Sequence, residues 1–87
     1  MPEVRADPDK LRQFASTLTR SAQQLEAISR QLRRSLDATG WDDSERKRFE
    51  DDFRMTVRSL SAFTARLRDS YAPQLRKKAD ALDRFRG

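Results

Sequence analysis

The chain has 87 residues, enough for one small domain, and a chain this short buries only about 60–65% of its unfolded surface alone. Hydrophobic residues make up 36% and charged residues 38%, so the apolar positions must be ordered to form any core; two Gly and three Pro exclude a turn-rich all-β domain. Zero Cys and zero His remove disulfides, thiolate and imidazole chemistry and the metals those side chains bind, and the +5 net charge is spread over interleaved acids and bases.

Asp7-Pro8 opens the first predicted element, Asp as N-cap and Pro at the first helical position. The charged stretch Met1 to Lys10 does not read as a secretory leader. From Leu11 the apolar spacing is regular in steps of three and four: Leu11, Phe14, Leu18, Ser21, Leu25, Ile28, Leu32, Ser35. One row is all Leu and the other alternates a large residue with Ser, while Ala15, Ala22 and Leu36 widen the stripe. This spacing predicts an amphipathic helix over about 8–38.

Gly40 suits a left-handed position past the helix end, in a turn over 39–43. Asp42 and Glu45 then have the spacing of a capping box for a second helix, with acids at its positive end. The second stripe is Phe49, Phe53, Val57, Leu60, Phe63, Leu67, Tyr71, Leu75, Ala79, Leu82 and Phe85, which predicts a helix over about 43–85. Pro73 lies off that stripe, where it would point away and clash with the carbonyl of Asp69, kinking the helix on its outer side. The competing reading is a break at Ser70 and a short third helix.

Two long helices joined by so short a turn must lie antiparallel. The expectation is an all-α helical hairpin forming a single domain. Leu11, Phe14, Leu18, Leu25, Ile28, Leu32, Phe53, Val57, Leu60, Phe63, Leu67 and Tyr71 are its core and interface. Burying a large side chain is worth about 1.5–3 kcal/mol, and these faces are too broad for one antiparallel contact. A second chain is therefore expected to complete a four-helix bundle.

Gly40-Trp41-Asp42-Asp43, with Phe49 eight residues after the Trp, resembles the WXG family of small helical-hairpin proteins associated with type VII secretion. The resemblance covers nearly the whole chain. It implies a homodimer or a heterodimer with a paralogous hairpin, residing in the cytoplasm and exported folded without a cleaved signal peptide, as substrate, chaperone or co-secreted partner of a larger effector. Asp43 stands where the family has Gly, and Tyr71 is followed four residues later by Leu75 rather than by the Asp or Glu of the family's export signal. A partner chain would then carry that signal.

Trp41 reads either as a recognition surface at the hairpin tip or as a plug over the end of the core. Phe49 and Phe53 read as core. Asp42, Asp43 and Glu45 read as capping groups rather than paired catalytic carboxylates, and no catalytic residue, cofactor or metal site is expected. Arg46-Lys47-Arg48 match Glu50-Asp51-Asp52 at i,i+4, a solvated face of weak pairs. The alternative function is nucleic-acid binding through Arg66, Arg68, Arg76, Lys77 and Lys78, although no aromatic residue is interleaved with them as a stacking platform. No run approaches the roughly 18 apolar residues of a membrane span.

Overall fold

A computed structural model describes residues 6–86. Met1–Arg5, half of the charged opening stretch, and Gly87 lie outside the described residues. Helix α1 spans Pro8–Ala38. The Asp7 carboxylate accepts the amides of Asp9 at 2.9 Å and Lys10 at 3.4 Å, and Pro8 occupies the first turn, where it has no donor to lose. At the other end the Thr39 amide donates to the Leu36 carbonyl at 3.1 Å, and Gly40 takes φ +67°, the left-handed conformation expected of it.

Helix α2 spans Ser44–Arg66. Its N-cap is Asp43, which accepts the Arg46 amide at 3.0 Å. The Asp42–Glu45 capping box is therefore not the device used. The helix starts one residue later, so Glu45 falls in the second helical position, too early to fold back on the cap.

The rest of the second arm departs from a plain kinked helix. Leu67–Tyr71 form a π-helical turn, and α3 continues over Ala72–Arg86. The Ala72 amide donates to the Leu67 carbonyl, five residues back. Widening the helix just before Pro73 gives the chain a way to place a residue without an amide, whose ring would otherwise meet the Asp69 carbonyl. Nor does Pro73 point clear of the protein, since it is half-buried.

The arms form an antiparallel hairpin, and all described elements are helical. The seam between them is not the Leu and Phe rows. It is built from Pro8, Ala15, Ala22 and Leu36 on α1, all buried, with half-buried Ser29 completing a strict seven-residue spacing. On the second arm Thr64, Ala72 and Ala79 are buried, with half-buried Val57 continuing the row. Here the spacing is seven, eight, seven, and the eight is the π turn absorbing one extra residue. Ala15, Ala22, Ala72 and Ala79 are each 0% exposed, because two backbones approach closely only where side chains are small. The closest packing is of α1 against α3, at the end away from the turn.

The result is a rod, 63 Å long with a radius of gyration of 19.0 Å, against about 12 Å for a compact domain of this length. Its accessible surface is 7032 Å², about 1,700 Å² above what area scaling gives for a compact monomer of this mass.

Candidate interaction surface

The two sides of the alanine seam differ in chemistry. On one side, α1 presents Arg12, Thr19, Glu26 and Arg33, again seven residues apart, and three of them reach across to the second arm. Arg12 pairs with Asp80 at 2.8 Å and with Asp83, Glu26 accepts from Arg68 at 2.7 Å, and Arg33 lies 4.0 Å from Glu50. The hydrogen bonds that Arg12 donates to Asp80 and then to Asp83 raise its pKa further above the ordinary value. The Arg68 guanidinium lowers the Glu26 carboxyl, and Glu26 in turn raises Arg68. Partly exposed pairs contribute little each, but they fix the register of the arms and place polar groups along this side.

The other side is open and apolar. Phe14, Phe63 and Tyr71 are 53%, 43% and 48% exposed, and Ile28 and Leu32 are exposed beside them. With Leu18, Leu67 and Leu75 the three aromatic rings line a groove of about 420 Å³, rimmed by Gln74 and Lys78. Arg66 lays its guanidinium 5.9 Å from the Phe63 ring centre. Of the sequence-predicted interface residues, only Leu67 is buried within the hairpin. Leu11, Leu18, Leu25, Phe53, Val57 and Leu60 are half-buried.

At the turn, Trp41 is half-buried, its ring 6.2 Å from Phe49 at 45°. Phe49 stacks on Phe53 at 6.0 Å and 10°, extending an aromatic row along α2. Phe49, read from the sequence as core, is 45% exposed within one hairpin, although α1 runs alongside it, with Asp37 bonded to Arg46 and Arg33 near Glu50. Arg46 organises the turn, donating to the Trp41 carbonyl at 2.7 Å, to Glu50 at 2.8 Å and to Asp37 at 3.1 Å. The Arg46 amide, followed by the Trp41 side chain, holds the Asp43 carboxyl below its ordinary range. Gly40, Asp42 and Asp43 are exposed around this knot. Among the described residues, the Arg46–Glu50 pair is the one of the three i,i+4 matches that closes.

The basic positions divide. Arg68 is committed to Glu26 and is no longer a free contact, a correction to the sequence reading, whereas Arg66, Arg76, Lys77 and Lys78 are exposed. No described helix is long and apolar enough to cross a membrane. Sequence reasoning missed the seam and the polar ladder, although the seven-residue rows of Ala15 and Ala22 and of Arg12, Glu26 and Arg33 are present in the sequence. No family model, curated protein or solved structure matches the chain.

Proposed function

We propose that this chain is a non-catalytic interaction module, a hairpin that pairs with a second hairpin, itself or a paralogue, through its open apolar side. The observation carrying the reading is the row Phe14, Ile28, Leu32, Phe63 and Tyr71, large apolar side chains left exposed beside a seam already filled by alanines. A contiguous patch of this kind marks an association surface, and a four-helix bundle is the arrangement that covers it. The WXG-like features, a Trp turn and Phe49 eight residues on, support a place in a type VII-like secretion pathway as substrate, chaperone or co-secreted partner of a larger effector.

Two measurements test this reading. Sedimentation at micromolar concentration is expected to give a dimer of the chain, or a heterodimer once a paralogue is added, and Phe63→Glu is expected to yield a helical monomer. A folded wild-type monomer with no hairpin partner overturns the assembly. For the secretion role, Trp41→Ala is expected to keep helix content while abolishing partner association or export; a change in melting temperature alone makes Trp41 a plug.

A second reading, nucleic-acid binding, has one observation in its favour: Arg76, Lys77 and Lys78 are exposed and unpaired among the described residues. Binding through them falls linearly with log salt, and absence of binding at low salt removes it.

A further inference from the structure

Between α1 and α2 lies a second concavity, of about 260 Å³, lined by Ser29, Arg30, Arg33, Phe53, Arg54 and Val57. It shares no lining residue with the groove on the open side, so an inference about it goes beyond the pairing reading. Half-buried Phe53 and Val57 supply an apolar floor. Three guanidinium-bearing side chains from two arms line the rest. Arg12, Arg46 and Arg68 each hold a carboxylate at 2.8 Å or closer. Among the described residues Arg54 closes no ion pair, Arg30 closes none but lies near enough to Glu26 to help lower its carboxyl, and Arg33 reaches Asp37 at 3.5 Å and Glu50 at 4.0 Å.

Like charges brought together over an apolar floor repel unless an anion sits among them. A guanidinium is a planar fork that grips phosphate oxygens two at a time, and a concave, mostly apolar pocket with a few convergent polar groups is the usual form of a small-molecule site. We propose that this pocket binds a small organic phosphate, a phosphate monoester on an aromatic body. The ring lies against Phe53 and Val57, and the phosphate is held by Arg30 and Arg54, with Arg33 as the third cation. The volume of about 260 Å³ suits one such body.

The test is titration of the full chain with AMP, followed by amide resonances, with inorganic phosphate and adenosine as separate arms. Saturable shifts centred on Ser29, Arg30, Arg54 and Val57 are expected with AMP and much weaker ones with either half alone. Arg30→Gln and Arg54→Gln should each weaken AMP by about tenfold, the effect of one lost charged hydrogen bond, while Arg20→Gln, at an exposed position, leaves it unchanged. Should a Gln variant lose helix, Arg30→Lys and Arg54→Lys decide, since they keep the charge and lose the fork. No saturable shift at millimolar AMP, equal affinity for inorganic phosphate, or Lys and Gln variants that bind as the wild type does overturns the proposal. Sedimentation of the same samples separates this outcome from a failure of pairing.

Discussion

Asp43 and Arg46 hold the turn together. The Asp43 carboxylate caps α2 through the Arg46 amide, while the Arg46 guanidinium ties the Trp41 carbonyl, Glu50 and Asp37 into one knot. Asp43→Ala is therefore expected to lower the melting temperature by a few degrees and loosen the turn, read as increased exchange of the Ser44–Arg46 amides. Glu26 makes the corresponding contact at mid-rod. Its folded pKa is depressed by Arg68, so its contribution is fully present above the ordinary glutamate value of 4.5 and is lost as pH falls through the depressed one. Acid unfolding monitored by circular dichroism should begin at higher pH in the wild type than would be seen without such losses, and Glu26→Gln should flatten the curve between pH 4.5 and lower values while lowering stability at pH 7. An unchanged acid limb in Glu26→Gln shows that the pair is not coupled to folding.

At the level of whole elements, much of the fold was legible in the chain. Asp7-Pro8, Gly40 and the periodic apolar residues marked both arms and the turn between them, because caps and spacing act locally. The seam was not legible in the same way. Large apolar residues dominate a hydrophobic stripe, but the line along which two helices meet most closely is decided by size, and that line lies at the stripe's edge, on Ala15 and Ala22. Ala22→Leu would force three extra carbons into a contact with no room for them, at a cost of about 1–3 kcal/mol, measurable by urea unfolding. The π turn escaped notice because one added residue barely disturbs a 3.6-residue pattern, yet it keeps Thr64, Ala72 and Ala79 on one line. Deleting Ser70 together with Pro73→Ala should return the arm to a regular α-helix with that line intact and the melting temperature maintained. Loss of helix signal in this double change shows that the wider turn has a role beyond accommodating Pro73.

Across the whole molecule, the interface residues read from the sequence as one broad apolar set, and the structure sorts them by depth. Leu67 goes to the inside, Leu11, Leu18 and Leu25 to the shoulder, and Phe14, Ile28, Leu32, Phe63 and Tyr71 to the outside. A single sequence carries no mark of that sorting, which depends on where the second arm comes to rest. The ladder of Arg12, Glu26 and Arg33 has a consequence for how such rods accumulate. On the proposed pairing, two copies joined face to face cover the open apolar row of each, while the opposite flank carries the charged ladder. Growth stops there by geometry. A rod with such rows on two flanks would add copies indefinitely, so on that pairing the polar ladder would favour a finite particle over a fibre.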